Sequence, residues 1–214
     1  MTQQPEITEE FLQMFVEEMG SVLASPVPTE TIESWRGKFP DLVLTWWEQV
    51  GFASFGDGLA WFTDPDEWVD LASDILPKCK VISPDLDPAI LTGPYYPWMR
   101  TAFGEMECWS PTHQANISVT PMLYWVGGAD HSEDVANGLV NIGFESPILS
   151  RRRDLDVVDA SGRGLFTRLR KRLGAPTADT YYGLTLSIAL GGDVEIDNFA
   201  LKPVRGHLAL QSGR

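Results

Sequence analysis

Five carboxylates are packed into "DPDEWVDLASD", residues 64–74: Asp64, Asp66, Glu67, Asp70 and Asp74. So many oxygen donors could hold a divalent cation, but their spacing is not that of an EF-hand loop. Asp66, Asp70 and Asp74 recur every four residues and would form an anionic stripe on one face of a helix. Such a stripe either docks Lys and Arg side chains of a partner or is simply solvated. These five residues are the candidate partner-binding site.

Glu105 and Glu107 are the other pair whose types allow chemistry. On a strand they point the same way, a geometry that permits acid–base hydrolysis. Nothing nearby in sequence would raise either carboxyl pKa, and an exposed polar face explains the pair equally well. His113, His131 and His207 have no His or Cys at metal-pair spacing, so each is read as structural or surface-lying. Cys79 and Cys108 form no CxxC and are expected to be reduced thiols. No GxSxG, P-loop or dinucleotide-binding glycine pattern occurs. No catalytic residue, metal ligand or cofactor is therefore assigned.

The charge is uneven. The formal net charge is −14, and residues 1–150 hold 23 Asp and Glu against 5 Lys and Arg, a balance of −18. Residues 151–172 reverse this with 8 Arg and Lys against 3 Asp. An anionic field of this size repels nucleic acid and anionic lipid, and it attracts and accelerates a basic partner. The run "MTQQPEITEE" is acidic where a signal peptide is basic and then apolar, and no apolar run approaches the ~20 residues of a membrane span. A cytoplasmic protein that contacts neither membrane nor nucleic acid is expected.

The elements that must position these groups follow from period and punctuation. "EITEEFLQMFVEEMG" reads as an amphipathic helix closed by Gly20, and "PDLVLTWWEQVG" as a second helix between Pro40 and Gly51, with at least one of Trp46 and Trp47 facing the core. "GFASFGDGLAWF", residues 51–62, reads as a hairpin turned by Gly56-Asp57-Gly58, with Leu59 and Trp61 packing inward. Asp64 is placed as an N-cap, Pro65 at the first helical position and Glu67 for a capping box, with the helix reaching about Leu76. Residues 95–109 suggest two strands turning near Gly104, and "NISVTPMLYWVGG" one more. Pro97 and Pro121 mark these as edge or interrupted strands. "HSEDVANGLVNIGF" reads as a short helix ending near Gly143, and "GRGLFTRLRKRLG" as a basic amphipathic helix capped by Gly174. That basic helix is expected to pair with the acidic N-terminal part or to be solvated. A strand-like run, a Gly-Gly turn and a short element after Pro203 complete the chain. The fold class is α+β: a small, mainly antiparallel sheet with flanking helices and hairpins over 1–150, and a smaller helix-containing part over 151–214.

Three segments carry a resemblance. "VGFASFGDGLAWFTDPDEW", residues 50–68, has a Gly-aromatic, Asp-Gly-Leu, Trp, Asp-Pro pattern, and "MRTAFGEMECWS", residues 99–110, is similar to a "TAFGDLYLW" strand pair. "LFTRLRKRLG", "YYGLTLSIALGG" and "DNFALKPVRGHLAL" follow in order over residues 165–210. Together they resemble the GAD-like domain family joined to its usual C-terminal partner domain, an arrangement of immunity proteins of bacterial type VI secretion systems. Phe52 and Phe55 stand where that pattern has Trp and Tyr. The resemblance implies two domains, 1–150 and 151–214, that bind and neutralise a cognate toxin, expected to be a basic DNase, without catalysis. The alternative reading is a ligand-sensing module whose many aromatic rings line a pocket.

Overall fold

The computed structural model describes residues 15, 17–20, 22–139, 141, 144 and 151–211. The predicted first helix lies largely outside these residues. Its end is described: 17–19 are helical, Phe15 and Met19 are buried, and Gly20 leaves at φ 82°. Helix α1 (Thr29–Trp35) follows, then α2 (Asp41–Gln49), whose first amides donate to the Pro40 carbonyl. Both Trp46 and Trp47 are buried, each 1% exposed. Gly51 ends this stretch at φ 84° against the Ser25 backbone, where a Cβ would collide with the Ser25 carbonyl.

Among the described residues eight strands form one sheet. They are β1 (Val22–Ser25), β2 (Phe52–Phe55), β3 (Ala60–Phe62), β4 (Lys80–Val81), β5 (Tyr96–Thr101), β6 (Met106–Ser110), β7 (Ala115–Thr120) and β8 (Trp125–Asp130). The order is β1-β2-β3-β5-β6-β7-β8-β4, antiparallel throughout except for the parallel β4–β8 pair. The sheet is thus large rather than small. Residues 116–128 supply parts of two strands, β7 and β8, because Pro121 lies in the turn between them. Pro97 marks an interruption, as expected, and lies before the β3 pairing that begins at Met99. It sits in β5, between β3 and β6, where a register shift between Pro97 and Met99 absorbs its missing N–H.

The hairpin forms as expected, with Ser54 opposite Trp61 and Phe55 opposite Ala60. Gly56, Asp57 and Gly58 all take positive φ, and the amides of Gly58 and Leu59 return to the Phe55 carbonyl. The inward packing is not confined to Leu59 and Trp61, since Ala60 and Phe62 are also buried. β3 is an interior strand covered on both faces, so the alternation expected of a half-exposed hairpin is lost.

Helix α3 (Pro65–Ile75) crosses the sheet on its buried face of Trp68, Leu71, Ala72 and Ile75. Short α4 (Ser132–Ala136) stops well before Gly143 because Asn137 and Gly138, the latter at φ 86°, turn the chain. Residues 140, 142 and 143 lie outside the described set. The C-terminal part contributes α5 (Phe166–Leu173), the hairpin of β9 (Thr180–Leu184) with β10 (Phe199–Pro203), and α6 (Val204–Gln211). Alternation along β6 sends Met106 and Cys108 to one apolar cluster and Trp109 to the other. Each cluster mixes residues from both sides of position 150: Tyr181, Val204 and Leu208 join α3, while Phe166, Leu169 and Tyr182 join α2 and the hairpin.

Candidate functional site

Helix α3 holds the five sequence-predicted carboxylates. Asp66, Glu67 and Asp70 are exposed, and Asp64 and Asp74 are partly buried. Asp64 caps the helix by accepting from the Asp66 amide at 3.0 Å, and burial pushes its carboxyl pKa up. The expected capping box does not form. The Glu67 amide already donates to the Asp64 carbonyl, and the Glu67 carboxylate instead pairs with Arg205 of α6 at 3.2 Å. No Lys or Arg lies on α3 itself. The stripe is therefore a real anionic face, with Asp64 and Glu67 diverted to its N-terminal end.

That end borders an open cleft of about 910 Å³. One wall is the β2–β3 hairpin with Asp64, Glu67 and Trp68, and the other is the 175–179 segment with the start of α6. Sequence reasoning missed one residue of the cleft lining, the buried Arg100. Its guanidinium lies 3.8 Å from the Trp61 ring and 5.4 Å from Trp68, whose ring also takes Arg205 at 5.3 Å. Arg100 Nη2 donates to the Thr177 and Ala178 carbonyls at 2.9 Å each, and Nη1 donates to the Thr101 carbonyl. Nε is buried without a partner. The side chain is 1% exposed, and burial pushes its pKa down to about 9. The available signal was a lone cation inside the apolar run "YYPWMRTAF".

The Gly-Asp-Gly turn proves to be an attachment point as well as a bend. The Gly56 carbonyl accepts from Arg152 Nη2 at 3.2 Å, and Arg152 Nη1 donates to the Met19 carbonyl. Asp57 pairs with Arg170 of α5 at 3.3 Å. Of the other α5 cations, Arg168 pairs with the buried Asp159 and Arg172 with Asp197. Hydrogen bonds from Ser161 foremost, then from the Arg163 amide and the Arg168 and Arg163 side chains, hold the Asp159 carboxyl well below the usual range. The basic helix is thus neutralised mainly within its own part of the chain, and Arg170 reaches the acidic half.

The structure supplies what the sequence around Glu105 and Glu107 did not reveal. Glu107 Oε1 accepts from Ser118 Oγ at 2.5 Å and Oε2 from Asn116 Nδ2 at 3.2 Å, while Glu105 accepts from Thr120. Burial pushes the Glu107 carboxyl up to about 7 and Glu105 upward as well. Because the folded protein then binds a proton more tightly than the unfolded chain, stability falls as pH rises from 4.5 to about 7. Glu107→Gln removes this cost. Above pH 7 the variant is expected to be more stable than the parent by up to about 3 kcal/mol, with the gain vanishing near pH 4. Urea midpoints across that range measure it, and a gain independent of pH would refute the assignment.

The histidines are held locally. His113 Nε2 lies 2.6 Å from the Thr92 carbonyl, His131 Nδ1 is 3.2 Å from Asp134, and His207 Nδ1 is 2.5 Å from the Tyr181 hydroxyl. Cys79 and Cys108 are free thiols, and Cys108 is buried. Among the described residues no three His, Cys, Asp or Glu side chains converge as metal ligands would, and no helix is long and apolar enough to cross a membrane.

A mainly antiparallel eight-stranded sheet, with an acidic helix and a cleft lined by charges of both signs, defines an α+β protein. The chain belongs to the GAD-like domain family, whose model matches residues 10–123 and so takes in α1 to α3 and β1 to β7. No curated protein matches it. The fold is similar to the crystal structure of Atu4351 from Agrobacterium tumefaciens, with a TM-score of 0.68 and 18% identity over 92% of this chain and 86% of that one. At that identity the likeness is one of fold.

Proposed function

We propose that this protein is a cytoplasmic immunity protein that binds and neutralises a cognate type VI secretion toxin, a basic nuclease, by stoichiometric association and without turnover. The observation that carries this reading is the α3 face, where Asp66 and Asp70 stand exposed beside Glu67, itself paired with Arg205, on a helix without a cation of its own. The balance of −18 over residues 1–150 extends that field. A nuclease surface that holds DNA is cationic, so an acidic face both complements it and speeds encounter. The resemblance of the three segments to the GAD-like arrangement of immunity proteins supports the same reading.

The test is co-purification with the protein encoded by the adjoining gene, together with protection of cells expressing that protein. Absence of both a complex and protection would end the proposal. Within a complex, Asp66→Lys with Asp70→Lys is expected to lower the association rate about tenfold at low salt, with the deficit shrinking as salt screens the field. A rate unchanged at low salt would remove α3 as the docking face while leaving the partnership standing.

A further inference from the structure

The cleft holds charges of both signs that form no ion pair with one another, Asp179 acting on Arg100 only through space. Arg100 has no carboxylate within ion-pair distance among the described residues, although the half of the chain that contains it is crowded with acids. Its bonded partners are neutral carbonyls, and its Nε is left without one. A desolvated cation in this position is costly unless a negative group completes it. On the same cleft, Asp64 and Asp179 have no cation within ion-pair distance, whereas the acids Asp57 and Glu67 are paired with Arg170 and Arg205. Between these groups the lining is apolar and aromatic, with Phe52, Trp61 and Trp68. A lone anion would meet the rim acids, and a lone cation would meet Arg100. A ligand carrying both charges meets neither penalty.

We infer that this cleft binds a zwitterionic amino acid or short peptide with an apolar side chain, its carboxylate directed to Arg100, its ammonium to Asp64 and Asp179, and its side chain against the tryptophans. The volume lies within the range of small-ligand sites and leaves room for more than one residue. Arg205, on the exposed rim, stacked on Trp68 and paired with Glu67, borders the carboxylate subsite. The cleft is walled by the family-matched segment on one side and by residues 175–179 and 203–206 on the other, so a bound ligand touches both. This inference stands apart from toxin binding, because it needs no partner protein.

The probes are L-phenylalanine and leucyl-phenylalanine, titrated into the intact protein and followed by tryptophan fluorescence, since Trp61 and Trp68 report on the cleft directly. Saturable binding is expected for at least one probe. Its C-terminal amide and its N-acetyl derivative should each bind at least about tenfold more weakly, the loss of one charge-assisted contact. Arg100→Met should abolish the preference for the acid over the amide. Should that variant fail to fold, Asp179→Asn on the exposed segment carries the test, weakening the parent probe about tenfold while leaving its N-acetyl derivative unaffected. No saturable response to either probe, or equal responses to a probe and its blocked forms, would overturn the inference.

Discussion

Truncating Trp98 to alanine is expected to destabilise the protein by about 3–5 kcal/mol, the range for removing a large aromatic from a packed core. Trp98 sits at the irregularity in β5, is 0% exposed, and contacts the rings of Phe62 and Phe144 at 6.0 and 5.1 Å. Its Nε1 donates to Asn116 Oδ1 at 3.1 Å, and Asn116 in turn donates to Glu107. The substitution therefore opens a cavity and leaves a buried amide oxygen unsatisfied. Trp98→Phe separates the two effects, because it keeps most of the volume and loses only the hydrogen bond, a loss of about 1–3 kcal/mol. Trp125, 42% exposed, is the control, and its truncation should cost under about 1 kcal/mol. Urea unfolding measures all three, and similar losses for Trp98→Ala and Trp125→Ala would contradict the placement of Trp98.

Gly128→Ala is expected to cost about 3 kcal/mol although it adds only a methyl group, because backbone strain and a backbone collision act together. Gly128 lies in β8 opposite Ile117 at φ 142°, a conformation that L side chains rarely adopt. A Cβ there would stand 2.8 Å from the Ile117 Cα, and closer still to the Asn116 carbonyl oxygen. Neither neighbour is a side chain that can swing aside, so the β7–β8 ladder itself must move. Gly138→Ala is the matched comparison, since it has positive φ but open space around its Cβ. Its cost should be near 1 kcal/mol, the strain alone. Equal thermal shifts for the two variants would show that the ladder yields.

Much of the fold was legible because local chemistry and tertiary packing agree in it. Pro40 and Gly51 bracket α2, Asp64 and Pro65 start α3, and Gly56-Asp57-Gly58 turns the hairpin, each through the backbone property its residue type confers. The extent of the sheet was not legible. β4 is two residues long and owes its existence to pairing with β8, and Pro121 made two strands look like one interrupted strand. The acidic stripe on α3 was visible from its spacing. Its N-terminal rearrangement was not, because Glu67 answers to Arg205, far along the chain. The cleft was hidden for the same reason, since its far wall at 175–179 meets Arg100 only after the C-terminal part folds back. Glu107 shows the converse: two like charges on one strand look solvent-facing until the cover above them is known.

The bonds from Arg100 to Thr177 and Ala178 tie an interior strand to a segment that is itself exposed. Any fluctuation that lifts this segment strands a guanidinium over two indole rings with no acceptors left for Nη2. Opening at the surface thus carries an energetic penalty generated in the middle of the sheet, and slow amide exchange should extend outward to Thr177 and Asp179, whose amides otherwise rest on threonine hydroxyls alone.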